Sequence, residues 1–220
     1  MTNEKYLSLR KRIVEIEKKL LEKGFVVGPA GNVSARTPEE DKILITPSGI
    51  THDRISPEDI LLVDFKGDIL DGELLPSSEL EMHLSIYRTQ EDAGAVIHSH
   101  PAFSTSLAVV GKTIPPLLDE FVVFVGEEVK LAEYAVAGSE ELADNVIAAI
   151  GDSRAVLLSN HGLLCYGKDL DDALFVTELV EETAKVLVHA LAIGTPKRLP
   201  RAIVERQKEI FEMIKFRDKQ

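Results

Sequence analysis

The sequence predicts an α/β fold: a sandwich in which helices flank a mostly antiparallel, mixed central sheet. Helix and strand patterns are interspersed without a strict βαβ rhythm, which disfavours a doubly wound parallel sheet. Several neighbouring strand patterns are separated only by short turns and read as hairpins. The 220 residues contain no repeat and no Gly/Ser-rich linker, so one domain over 1–220 is expected.

The first helix is expected from about Lys5 to Lys23. Leu9, Ile13, Ile16 and Leu20 recur on one face, and Gly24 stops it. Short apolar runs then mark strands over 31–36 (GNVSAR), 42–46 (KILIT) and 59–65 (DILLVDF), with 68–70 following a turn at Gly67. Residues 79–88 have helical spacing and follow Pro76, Ser77 and Ser78. AVIHSH (95–100) reads as a strand and 102–110 as a helix. A further helix is expected over 139–150, with Ser139 as N-cap and Glu140 and Glu141 in its first turn. Strands over 154–160 and 163–167 enclose a tight Asn160-His161-Gly162 turn. The longest helix runs over about 170–192, where Leu170, Leu174, Thr177, Ala184, Leu187 and Leu191 form the core-facing stripe, and Gly194 and Pro196 end it. A last amphipathic helix spans about 201–216 and is a candidate for a subunit interface.

Hydrophobic content of 45% against 28% charged residues suits a chain with a sizeable buried core. A net charge of -12 argues against a nucleic-acid or anionic-membrane surface, which needs clustered Lys and Arg. The N-terminal stretch is charged throughout, unlike a signal or transit peptide, and no apolar run approaches the ~20 residues that span a bilayer. A cytoplasmic protein is expected. The single cysteine, Cys165, excludes an internal disulfide framework, and in the run LLCYG it reads as a small buried hydrophobe.

The chemistry centres on histidine. Strand side chains alternate faces, so His98 and His100 project together, with Ser99 behind them. That spacing suits two neutral imidazoles on one metal ion, and it also suits two packed histidines. His161 is a third candidate, with Gly162 expected to free the backbone and bring the ring forward from a strand end. Three nitrogen ligands with an open position form a catalytic zinc pattern, whereas structural zinc sites are closed and usually cysteine-rich.

Ser77 and Ser78 stand at a helix start, where they can cap the helix or offer hydroxyls to an anion. Gly31-Asn32 and the turn Thr46-Pro47-Ser48-Gly49 are small, polar segments of the kind that approach a phosphate. Glu79 follows the serines, as a dipole-complementing carboxylate or as a metal ligand and general base. His83, one turn on, is expected to pack against or orient Glu79. His52, in a polar loop, and His189, on a long helix, read as bystanders.

The motifs GNVSAR, ITPSG, LPSSE with MH, AVIHSHP and LLSNHG occur in this order over roughly 8–193. Together they resemble the class II aldolase/adducin-head family. The resemblance implies a zinc ion, one per subunit, held by His98, His100 and His161, with Glu79 as acid/base and resting ligand. Manganese or cobalt would suit the same donors. It implies phosphate contacts from Asn32, Ser48, Gly49, Ser77 and Ser78. It also implies a ketose 1-phosphate substrate (L-fuculose 1-phosphate or a related deoxypentulose phosphate), dihydroxyacetone phosphate and an aldehyde such as lactaldehyde as products, and a homotetramer. One departure concerns the aldehyde side. Well-known members place a neighbour-subunit tyrosine after an IPA-type segment; IPPLLDEF here has Asp119 near that position, and Tyr134 is no substitute. The family also holds pentulose-phosphate 4-epimerases, which carry aspartate at the position of Glu79, and methylthioribulose-phosphate dehydratases. Its adducin-like scaffolds are expected to lack the ligands. Glu79 and the three histidines favour the aldolase.

Overall fold

The computed structural model describes residues 6–39 and 41–217. Its centre is an eight-stranded sheet in the order β4-β3-β2-β1-β5-β8-β7-β6. The strands are β1 (Asn32–Arg36), β2 (Lys42–Ile45), β3 (Leu61–Asp64), β4 (Ile69–Asp71), β5 (Ala95–Ser99), β6 (Leu131–Ala132), β7 (Ala155–Leu158) and β8 (Gly162–Gly167). Every pairing is antiparallel except β6 with β7. The expected mixed sheet is therefore found. Its helices are α1 (Leu7–Glu22), α2 (Leu80–Thr89), α3 (Ala102–Val109), α4 (Asp119–Phe124), α5 (Glu140–Ile150), α6 (Leu170–Ile193) and α7 (Arg201–Arg217). The expected start of α1 at Lys5 lies outside the described residues.

Helices cover both faces of the sheet, which is why the central strands are apolar on both sides. One face sets Val96, Val156, Leu158 and Leu164 against Met82 and Ile86 of α2 and Leu142 and Val146 of α5. The opposite face is divided. Ala95 and Ile97 pack on Ile13 and Ile16 of α1, while Leu157, Leu163 and Cys165 pack on Val176 and Val180 of α6. Cys165 is fully buried there, and burial pushes its thiol up to about 12. It is the inert packing residue its neighbours suggested.

Several expectations are corrected. The segment 59–65 does not begin as strand: Pro57–Asp59 is a 3-10 turn closed by a capping box between Ser56 and Asp59. The stripe of α6 ends at Leu187, since Leu191 is 41% exposed. Neither Ser77 nor Ser78 caps α2, whose N-cap position is Glu79. Ser139 does cap α5, accepting from the Leu142 N–H at 3.1 Å.

Candidate active site

Three strand ends meet where the histidines sit. Asn32 at the start of β1 lies opposite His98 near the end of β5, and Ser99 lies opposite Leu163 at the start of β8. The β7–β8 turn therefore carries His161 to the end of β5. Asn160 supplies the left-handed residue of that turn, with φ 54. Gly162 has a different role from the one expected. Its backbone is not left-handed; instead, an added Cβ would meet His100 Cδ2 and the Ser99 carbonyl, each at 2.5 Å. Glycine is needed there to leave room for the His100 ring.

The ring centroids of His98 and His100 are 4.7 Å apart, those of His98 and His161 4.7 Å, and those of His100 and His161 5.2 Å. One nitrogen from each ring lies within 4.8 Å of the others. His98 Nδ1 is 3.0 Å from the Leu163 carbonyl, so Nδ1 carries the hydrogen and Nε2 turns its lone pair inward. Nε2 of His98 and of His100 then face each other at 3.0 Å. Burial, followed by the charges of His100 and His161, holds His98 well below the usual imidazole value, and burial then His161 lower His100. Neutral rings with bare nitrogens at this separation repel unless a cation or a hydrogen lies between them.

Glu79 reaches the cluster from the N-terminal end of α2. Its Oε2 is 3.2 Å from His98 Nε2, and its Oε1 is 3.4 Å from His161 Nε2. Asn32 Nδ2 donates to Oε2 at 2.9 Å, whereas Oε1 is buried without a hydrogen-bond partner among the described residues. Three imidazoles and one carboxylate with an orphaned oxygen form a donor set that fits a divalent metal ion.

The polar turns are close by. Ser48 N–H donates to the Leu75 carbonyl at 2.9 Å, and Ser77 N–H to the Thr46 carbonyl at 3.1 Å, so the turn at 46–49 and the segment 75–77 are joined. Ser77 Oγ accepts from the Glu79 N–H at 3.2 Å, and Ser48, Gly49 and Ser78 are exposed. Gly138 presses on this segment, for a Cβ there would meet the Ser78 carbonyl at 2.6 Å. The amide of Asn32 is directed elsewhere, to Glu79 and to His83 Nε2 at 2.5 Å. Asp119 is exposed on α4 and accepts from Gln207 of α7 at 3.0 Å, with no bond to the cluster among the described residues. His189 stacks edge-on to Phe103 at 5.5 Å. His52, expected as a loop bystander, is buried against Glu17.

Sequence reasoning missed Glu181 of α6, which accepts from the N–H groups of Phe103 and Ser104 at 2.8 Å each and from Ser104 Oγ at 2.7 Å. It caps α3 directly after the His100-Pro101 step. No local pattern could have joined residues so far apart in the chain.

The sequence and the fold have known relatives. The model of the Class II Aldolase and Adducin N-terminal domain matches residues 11–188, and the chain belongs to that family. A 5-deoxy-D-ribulose 1-phosphate aldolase of Bacillus thuringiensis serovar kurstaki is 36% identical over 203 residues, 92% of this chain and 95% of the relative. An L-fuculose phosphate aldolase of Methanocaldococcus jannaschii is 38% identical over 184 residues, 84% of this chain and 98% of the relative. A solved structure of an L-fuculose 1-phosphate aldolase superposes with a TM-score of 0.89 at 38% identity, covering 93% of this chain and 96% of its own. Among the described residues no helix is long and apolar enough to cross a membrane.

Proposed function

We propose that the chain is the single-domain subunit of a metal-dependent aldolase. It cleaves a ketose 1-phosphate, either L-fuculose 1-phosphate or a related deoxypentulose phosphate, to dihydroxyacetone phosphate and an aldehyde such as lactaldehyde. The observation that carries this reading is the meeting of three inward imidazole nitrogens with Glu79, whose Oε1 has no other partner among the described residues. His98, His100 and His161 would hold the ion, zinc first, with Glu79 as a further ligand before substrate enters. When bound, the ion polarises the ketone and stabilises the negative charge left as the carbon–carbon bond breaks.

Glu79 moves the proton. In cleavage the hydroxyl beside the breaking bond gives up its proton as it becomes the aldehyde carbonyl, and Glu79 delivers a proton to the carbon that has lost the aldehyde; in synthesis it removes that proton. Asn32 keeps one carboxylate oxygen in place while the other meets the substrate carbon. Ser48, Gly49, Ser77 and Ser78 hold the phosphate. Ser77 also bonds the Glu79 backbone, so phosphate grip and proton carrier share one rigid segment. A homotetramer in which a neighbour completes the aldehyde side belongs to the same proposal, and the exposed Asp119 is available for that contact.

The two relatives differ in substrate, and the deoxypentulose-phosphate relative aligns over 203 residues against 184. Both substrates therefore belong in the test. Protein loaded in turn with zinc, manganese and cobalt is offered L-fuculose 1-phosphate, 5-deoxyribulose 1-phosphate and the corresponding free sugars. Dihydroxyacetone phosphate should appear from a phosphorylated ketose and far more slowly from the free sugar. No cleavage of any ketose 1-phosphate with any of the metals would contradict the reading.

A further inference from the structure

Glu79 is the last member of a buried chain of polar side chains. Asn32 and Ser34 are two residues apart on β1 and so share a face of the sheet. Glu79, His83 and Tyr87 are spaced by four along α2 and lie over that face. The two periodicities interlock. Asn32 Nδ2 meets Glu79 at 2.9 Å, Asn32 Oδ1 meets His83 Nε2 at 2.5 Å, Ser34 Oγ meets His83 Nδ1 at 2.7 Å, and Ser34 Oγ meets the Tyr87 hydroxyl at 2.8 Å. All five residues are at least nine-tenths buried.

The chain has one consistent direction. A carboxylate only accepts, so the Asn32 group beside it is the amide nitrogen. The amide oxygen then faces His83, whose Nε2 must carry the ring hydrogen. A neutral imidazole carries one hydrogen, so Nδ1 is bare and accepts from the Ser34 hydroxyl. Ser34 in turn accepts from Tyr87. With the hydrogen on the other ring nitrogen, His83 Nε2 would accept, the Asn32 amide would turn over, and its oxygen would oppose the carboxylate.

We infer that His83 is a positioning residue for Glu79, acting through the Asn32 amide, with Ser34 and Tyr87 fixing the His83 tautomer. This rests on the aldolase reading for its effect on turnover, though not for the tautomer. It also gives the Asn32 side-chain amide a role at the proton carrier.

The test has two arms. Nitrogen-15 spectra of histidine-labelled, metal-loaded protein should show His83 neutral with its hydrogen on Nε2, the signals being assigned by their loss in His83→Gln. Ser34→Ala should admit the other tautomer. In the second arm, His83→Phe keeps the ring bulk and should lower kcat about 10- to 100-fold, with KM and metal content unchanged. His83→Gln, whose amide can still donate to Asn32, should recover most of that loss. Should His83→Phe fail to fold, Tyr87→Phe keeps its volume and should show a smaller fall in kcat at constant KM. A wild-type hydrogen on Nδ1, or wild-type kcat in folded His83→Phe, overturns the inference. A wild type that cleaves no ketose 1-phosphate overturns the aldolase reading instead, and the tautomer arm still decides the polarity of the chain.

Discussion

Glu17 of α1 meets His52, and Glu79 at the start of α2 meets His98 and His161. Burial does not tell these contacts apart: His52 and His98 are 3% and 0% exposed, Glu17 and Glu79 1% and 6%. Nor do the carboxylates, since each has one oxygen without a hydrogen-bond partner among the described residues. The rings differ. His52 has both nitrogens engaged, one with Glu17 and one 3.1 Å from the Ala30 carbonyl. Burial opposes its charge, but Glu17, the Ala30 carbonyl and Asp53 together outweigh that, and His52 is raised above the usual imidazole value. His98 has only Nδ1 engaged with backbone, is lowered, and points Nε2 at His100 and Glu79. A histidine with every nitrogen satisfied closes a structural contact. Convergent bare nitrogens make a place for an ion.

The largest expected effect breaks the second arrangement. His100→Ala, His98→Ala or His161→Ala should reduce bound metal to a trace and turnover to background, while circular dichroism shows the fold retained. Full metal content in His100→Ala would remove the distinction between the two regions.

His52→Ala should do the reverse. Metal stoichiometry should stay at the wild-type value, while stability falls by about 3–5 kcal/mol because Glu17 is left as an unpaired buried charge. The pH dependence has a definite sign. His52 is raised on folding, so its contribution is complete below the ordinary imidazole value of ~6.5 and is lost as pH rises through the folded value. Denaturation curves should show the gap between wild type and His52→Ala narrowing on the alkaline side. A gap that widens there would show that His52 is not held charged.

A smaller effect is expected at the boundary of the site. Gly162→Ala places a methyl group against His100 and the Ser99 carbonyl, and should cost about 1–3 kcal/mol with weaker metal binding. Unchanged melting and metal affinity would show that the turn yields freely.

Much of this was legible in the sequence. The pair His98 and His100 follows from strand alternation, α5 from its Ser139 cap, and α6 from its apolar periodicity and the stop at Gly194 and Pro196. The elements α4 and β6 were not legible, because six and two residues are too short for a period to repeat. The capping box at Ser56 and Asp59 was present as a local signal, overridden by the apolar run that follows it. His52 does lie in a turn, but it looked like a bystander because its partner Glu17 is 35 residues away in the chain. Ser34 and Tyr87 escaped for the same reason: their link joins β1 to α2, and no local spacing connects the two residues.

In the proposed mechanism the histidines hold the ion while Glu79 moves the proton. Exchange of the C3 hydrogen of dihydroxyacetone phosphate with deuterated water isolates that step, since it needs no aldehyde. Glu79→Gln keeps the size of the side chain but cannot accept the proton. Wild type should exchange; Glu79→Gln should keep most of its metal, still bind dihydroxyacetone phosphate and exchange ~10²–10⁴-fold more slowly. Exchange at the wild-type rate in metal-loaded Glu79→Gln would contradict the account and assign the proton to another group, with Asp119 of a neighbouring subunit the next to test.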